Sequence, residues 1–343
     1  MKASDRTIAL VGNPNCGKTT LFNALTGRDQ RVGNWPGVTV EKKEGHIDAA
    51  GRHLQVVDLP GIYALLASSE DERVARDYIL SGEPALVVNI VDATNLERNL
   101  FLTTQLIDMK VPLVVVLTMI DLANTQGFKI DVEALSRELG CPVIPINATH
   151  KREARKVLAA VEEAWNDSQS STVCVPQRDE VEELASTWAA ELEGTARSLG
   201  ADGRWLALKL MERDAWATSK TVDAGAMAPE AIDDAVTSLE ARLGDSADIA
   251  LAEARYRFIE ALAKKTLKRP AAKATRSDKA DRIILNRILG IPIFLVAMYL
   301  LFWFTIVLGG AFIDFFDVVG ATVFVDGFGR LLDGIGSPAW LTT

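Results

Sequence analysis

Gly12-Asn13-Pro14-Asn15-Cys16-Gly17-Lys18-Thr19 sets two glycines, a lysine and a hydroxyl residue at the spacing G-x-x-x-x-G-K-[ST]. Such a loop holds phosphate oxygens on its backbone N–H groups and on the N-terminus of the helix that follows. Lys18 adds a point charge at the β- and γ-phosphates, and Thr19, followed by Thr20, ligates Mg²⁺. One such match is weak evidence, so the rest of the machinery must follow in order. Asp58-Leu59-Pro60-Gly61 has the D-x-x-G spacing, Asp58 supporting Mg²⁺ indirectly and the Gly61 N–H meeting the γ-phosphate. Between the two lies a glycine-rich stretch, Gly33-Asn34-Trp35-Pro36-Gly37-Val38-Thr39, in which Gly37 and Val38 lead to Thr39, a threonine placed to complete the metal shell. Thr118-Met119-Ile120-Asp121 comes where a guanine reader N-x-x-D belongs, with Asp121 accepting both donors of the base edge. Asn147-Ala148-Thr149 follows, where an alanine N–H meets the guanine carbonyl. Five short motifs in the right order point to GTP and GDP with Mg²⁺.

Two residues depart from that pattern. Thr118 replaces the usual Asn, so a hydrogen bond to the base and a tie to the phosphate loop are expected to be lost, at about 0.5–1.5 kcal/mol for one bond. Ile62 follows Gly61 where Ras-type GTPases carry a water-orienting Gln. Isoleucine positions no nucleophile, so transition-state charge must be stabilised by something else.

These residues need strands that end side by side. Buried-strand patterns fall at 8–11, 54–58, 85–92, 113–118 and 143–146, with helical patterns at 19–26, 97–109 and 132–139. Residues 46–49 and 53–57 read as a hairpin adding an antiparallel edge. This is an α/β P-loop GTPase, a Ras-like mainly parallel sheet, over residues 1–168. The Ser/Thr-rich stretch 166–174 reads as a linker. An all-α domain follows over 169–268, with helices expected at 178–199, 204–214, 229–243 and 247–267, Pro229 at a first helical position and Asp245-Ser246 as a cap. A basic connector at 269–287 leads to a transmembrane helix at 288–313, about 26 residues without a charge. Pro292 near its start is tolerable there. Residues 314–343 read as an interfacial or far-side segment.

The net charge of −9 gives no support to nucleic-acid binding. Lys264, Lys265, Lys268, Arg269, Lys273, Arg276, Lys279, Arg282 and Arg287 stand against Asp278 and Asp281 only, which places the first 287 residues in the cytoplasm. The N-terminus runs straight into a strand without an apolar leader. Cys16, Cys141 and Cys174 form no CxxC, and with His46, His53 and His150 they outline neither a disulfide framework nor a structural metal site. Asp314 and Asp317 flank the span as solvated residues rather than metal ligands.

The phosphate loop, the stretch from Val32 to Glu41, Asp58-Leu59-Pro60-Gly61-Ile62-Tyr63 and the run Arg287-Ile288-Leu289-Gly290-Ile291-Pro292-Ile293-Phe294 together resemble the bacterial ferrous iron transport protein B family. The resemblance is strong over the nucleotide domain and first span, and positional over the helical module, which in that family is like a nucleotide-dissociation inhibitor. It implies a GTPase that drives or gates an Fe²⁺ permease in the inner membrane, most of whose spans this chain lacks. Homo-oligomers and small cytoplasmic accessory proteins stay open as partners. It further implies K⁺ in place of an arginine finger, held by Asn15 and by the carbonyls of Gly33 and Trp35, which answers the question Ile62 raises. Asn15, Lys18, Thr39 and Gly61 then carry the catalysis. Soluble GTPases of ribosome assembly or tRNA modification, and membrane-remodelling GTPases, are the alternatives; the basic tract and apolar run argue against the first, and the short helical region against the second.

Overall fold

A computed structural model describes residues 6–27, 30–49, 52–66, 69–147, 151–167, 170–269 and 283–334. Within the first unit, which ends at Pro270, the chain runs through β1 (Arg6–Gly12), α1 (Lys18–Thr26), β2 (Gln30–Asn34), β3 (Glu41–Ala49), β4 (Arg52–Asp58), α2 (Glu70–Leu80), β5 (Pro84–Asp92) and α3 (Leu96–Asp108). It continues through β6 (Leu113–Thr118), α4 (Ile120–Thr125), β7 (Lys129–Ile130), α5 (Val132–Leu139), β8 (Val143–Pro145) and α6 (Lys151–Asp167). Five helices follow: α7 (Asp179–Ser198), α8 (Gly203–Met211), α9 (Ala215–Asp223), α10 (Pro229–Leu243) and α11 (Ala247–Thr266), then the short strand β9 (Leu267–Lys268).

The near-continuous apolar runs of β5 and β6 suit strands covered on both faces. The sheet order is β2-β3-β4-β1-β5-β6-β8, parallel from β4 to β8. β3 pairs antiparallel with β4, as the hairpin pattern predicts. The edge, however, is β2, a polar strand that sequence reading placed partly in the glycine-rich loop. Gly33 and Asn34 are its last residues and pair with Lys42 and Glu41.

The helical module is not a separate globule. Val181, Trp188, Leu206, Leu210, Leu251 and Ile259 share one apolar core with Val87, Leu100 and Val115 of the sheet layer. The expected linker is also tied down. Ser171 donates to the Leu139 carbonyl at 2.8 Å, and the Lys110 ammonium donates to the carbonyls of Ser171 at 3.1 Å and Val173 at 2.8 Å. The end of the module is stitched back by pairing of β9 with β7, by Asp131 N–H to the Thr266 carbonyl at 2.8 Å, and by Arg269 on Glu97. Pro229 begins α10 as expected, whereas Ser246 precedes α11 without a side-chain cap; Asp245 accepts instead from the Ser246 N–H at 2.8 Å.

Inside the shared core lies a set of buried charges. Lys209 meets Glu212 at 2.7 Å, Glu212 meets Arg255 at 2.7 Å, and Arg255 faces Asp108 at 3.5 Å. Burial pushes the Glu212 carboxyl up, but the cations Lys209 and Arg255 outweigh it and hold it down to about 2. Asp108 goes the other way: burial raises it against the pull of Arg255 and Arg204.

The second unit is described by itself. Asn286 Oδ1 accepts from the N–H groups of Ile288 at 2.9 Å and Leu289 at 3.1 Å, just before a helix from Gly290 to Val319. A π-helical turn at Gly320–Asp326 and a helix at Gly327–Gly334 continue it. With a mean hydropathy of 2.5, this helix is long and apolar enough to cross a bilayer. It does not stop at residue 313: Asp314 and Asp317 lie within it, because a carboxylate does not break a helix as proline does.

Arg255→Met leaves Asp108 and Glu212 buried with too little positive charge, and should cost about 3–5 kcal/mol of unfolding free energy in denaturant titrations. In the unaltered protein the stabilisation from ionised Glu212 is complete above about 4.5, its ordinary value, and is lost as the pH falls through about 2.

Candidate functional site

The phosphate loop begins where β1 runs tightly beside β5. A Cβ on Gly12 would lie 2.6 Å from the Ile90 carbonyl oxygen and 2.8 Å from Cys16 Sγ, so only glycine fits. Two left-handed residues, Asn15 at φ 65° and Gly17 at φ 90°, then turn the backbone into the start of α1. Pro14, Asn15, Thr19 and Thr20 are exposed, while Cys16 is buried, and burial lifts its thiol to about 11. Asn13 is only 3% exposed, and both polar atoms of its amide lack a protein partner.

The parallel register of β1 and β4 sets Leu10 beside Asp58. From there the D-x-x-G segment crosses the loop: Leu59 N–H donates to the Leu10 carbonyl at 3.0 Å and Ile62 N–H to the Gly12 carbonyl at 3.2 Å. The Cβ position of Gly61 is 3.3 Å from Pro14 Cα. Lys18 and Asp58 form a direct ion pair. Burial raises the Asp58 carboxyl above its ordinary value, with the Lys18 charge pulling it back. Ile62 is 2% exposed and its side chain belongs to the apolar core.

Thr118 corrects an expectation. Its hydroxyl donates to the Cys16 carbonyl at 2.6 Å, so the tie to the phosphate loop is kept. Thr118 packs beside Gly17, its Cγ2 3.6 Å from where a Gly17 Cβ would be. Met119, at φ 55°, opens α4, and Asp121 stands exposed in its first turn. Asn147 donates its amide to the Asp121 carboxylate, a contact between two base-site motifs that sequence reading kept apart. Ala148 and Thr149 lie outside the described residues.

The expected switch loop is shorter than its glycines suggest. Trp35 N–H donates to the Val40 carbonyl at 2.9 Å, Val38 N–H donates to the Trp35 carbonyl at 3.3 Å, and Gly37 at φ 77° closes the turn. The Trp35 indole is buried edge-on against Tyr78 of α2, ring centroids 5.0 Å apart, with the Lys42 ammonium 4.6 Å from its centroid. Val38 packs on the core from outside, and Thr39 is exposed. Sequence reading missed Lys209. Its ammonium reaches from α8 to the Leu65 carbonyl at 3.2 Å, while Leu65 N–H donates to Gln105 at 2.7 Å, fixing the segment after Gly61 from two sides. A lone lysine inside Trp205-Leu206-Ala207-Leu208-Lys209-Leu210-Met211 was the available signal.

Hydroxyl and carboxylate oxygens at Thr19, Thr39 and Asp58 are donors of the hard kind Mg²⁺ takes. Asn15, Gly33 and Trp35 likewise offer only oxygens, and the Trp35 carbonyl keeps one lone pair beyond its bond to Val38. Among the described residues no group of three or more His, Cys, Asp or Glu could hold a metal ion.

Residues 6–161 match the family model described as ferrous iron transport protein B, and residues 178–268 match the FeoB cytosolic helical domain. A GDP-bound mutant of the S. thermophilus NFeoB protein is 38% identical, with a TM-score of 0.69 over 77% of this chain and 100% of that one. The chain belongs to the ferrous iron transport protein B family. That membership sets aside the ribosome-assembly, tRNA-modification and membrane-remodelling readings. Another FeoB relative, the T. maritima cytosolic domain in a GMPPNP form, is 31% identical with a TM-score of 0.67, over 77% of this chain and 99% of that one. The Fe(2+) transporter FeoB of Salmonella typhimurium is 43% identical over 98% of this chain, and that of Escherichia coli K12 is 41% identical over the same share. The chain spans 43% of the length of these curated FeoB relatives.

Gly12→Ala forces a methyl onto a backbone oxygen and should cost about 1–3 kcal/mol through overpacking, together with nucleotide affinity. Thermal unfolding with and without GDP measures both: a melting temperature that drops and no longer responds to nucleotide is the expected result.

Proposed function

We propose that this chain binds and hydrolyses GTP and forms the cytoplasmic nucleotide-dependent part, with the first membrane helix, of an inner-membrane Fe²⁺ transporter. The observation that carries the reading is the convergence at one end of the sheet: loop 12–19 crossed by Asp58–Gly61 and tied to Thr118 at the end of β6, with Asp121 just beyond it bonded by Asn147. Backbone N–H groups of the loop and the start of α1 hold the phosphates. Lys18 parts from Asp58 and turns its charge to the β- and γ-phosphates, which frees Asp58, with Thr19 and Thr39, to support Mg²⁺. The Gly61 N–H meets the γ-phosphate, and Asp121 accepts from the guanine edge. Ile62 is buried and orients no water. Asn15 and the carbonyls of Gly33 and Trp35 would hold K⁺, whose charge stabilises the negative charge that develops between the β- and γ-phosphates. The apolar helix from Gly290 supports membrane attachment, and the basic residues before it support a cytoplasmic nucleotide domain.

Turnover of GTP and ATP by the detergent-solubilised chain, in KCl and in NaCl, tests this directly. GTP should be preferred, K⁺ should raise the rate, and Asn15→Ala should remove the K⁺ effect. Lys18→Ala should lower GTP turnover by about 10²–10³, the cost of losing one preorganised charge contact. Equal turnover of both nucleotides, or rates indifferent to Lys18, would rule the reading out.

A further inference from the structure

The hydroxyl of Thr118 is fully committed. It is 1% exposed, and its two acceptors are the Cys16 carbonyl at 2.6 Å and the Val91 carbonyl at 3.3 Å, both backbone groups of the surrounding fold. A hydroxyl carries one proton, whereas an Asn amide carries two and an acceptor besides. An Asn at this position can tie the phosphate loop and still donate to a base. Thr118 makes the tie and has no donor left over. Guanine offers two kinds of edge: N1–H and the 2-amino group donate, while O6 and N7 accept. Asp121, acceptor-only when ionised, serves the donating edge, and the Asn147 amide fixes its carboxylate.

We propose that Thr118 is a positioning residue for the phosphate loop that leaves N7 of guanine unread, while Asp121 takes the donating edge of the base. The inference rests on the GTP reading above. It separates two duties that the N-x-x-D motif ordinarily gives to one residue. Affinity for the phosphates is preserved through Cys16, while the base is held by fewer bonds.

Replacing N7 by carbon isolates the missing contact. Equilibrium binding of GTP, 7-deaza-GTP, ITP and ATP to the detergent-solubilised chain should give GTP and 7-deaza-GTP equal affinity within about twofold. ITP, which lacks the 2-amino group, should bind more weakly by about 2- to 12-fold, the worth of one hydrogen bond. Thr118→Asn should tighten GTP by about the same factor and leave 7-deaza-GTP behind. Thr118→Val, which keeps the shape but not the hydroxyl, should weaken both by one factor. A threefold or larger preference of the unaltered protein for GTP over 7-deaza-GTP overturns the inference, and needs no variant to fold. So does a Thr118→Asn protein that folds and shows no N7 preference. Guanine and adenine nucleotides binding alike would instead overturn the GTP reading, and the inference with it.

Discussion

No side chain fits at position 12. The closeness of β1 to β5, which leaves 2.6 Å between the Ile90 carbonyl and any Cβ on Gly12, is the constraint from which the rest of the site follows. Because β1 lies between β4 and β5 and parallel to both, its end is level with Asp58 on one side and with the strand carrying Val91 on the other. The loop leaving Gly12 therefore emerges between two donors to its backbone carbonyls. Ile62 N–H closes onto the Gly12 carbonyl, and Thr118 reaches the Cys16 carbonyl beside Gly17. Gly12 and Gly61 each remove a side chain where another chain segment passes closely, Gly17 supplies a left-handed turn at φ 90°, and the buried Cys16 roots the loop in the apolar core below it.

The second organising feature is electrostatic. Lys209, Glu212, Arg255 and Asp108 are all buried, and Lys209 also holds the carbonyl of Leu65, four residues beyond Gly61. Burying ions is expensive unless each has its partner, and losing one partner costs more than the whole set gains over an apolar replacement. The helical module is thus attached to the segment that follows the phosphate site by bonds that tolerate little displacement. Its helices contribute core to the sheet as well, so module and nucleotide domain are one cooperative body up to Arg269.

Much of this was legible in the sequence because it rests on local signals. The strand at 113–118 and the helices at 132–139 and 229–243 appear with the boundaries their patterns imply, and the strand expected at 54–58 ends as expected but begins at Arg52. What was not legible depends on distant partners. Gln30–Asn34 is polar and glycine-containing, and becomes a strand only because Glu41–Gly45 pairs with it. The 166–174 stretch has linker composition, yet Lys110 and Leu139, far away in the sequence, hold its later half in place. The reach of Thr118 could not be read from its own type, since its acceptor is a carbonyl 102 positions earlier. Trp35 looked like a loop residue and packs against Tyr78, because α2 was invisible to the same reading.

The pairing of β9 with β7 has a mechanical consequence. Leu267 and Lys268 follow α11 directly and pair with Ile130 and Lys129 of the nucleotide domain. Next to them Arg269 is anchored on Glu97, at the head of α3. Tension on the chain beyond Arg269 is therefore taken up first by two residues of backbone pairing and one exposed ion pair, and passes to β7 and the start of α3. The nucleotide domain thus shares with α11 any load that reaches residue 267.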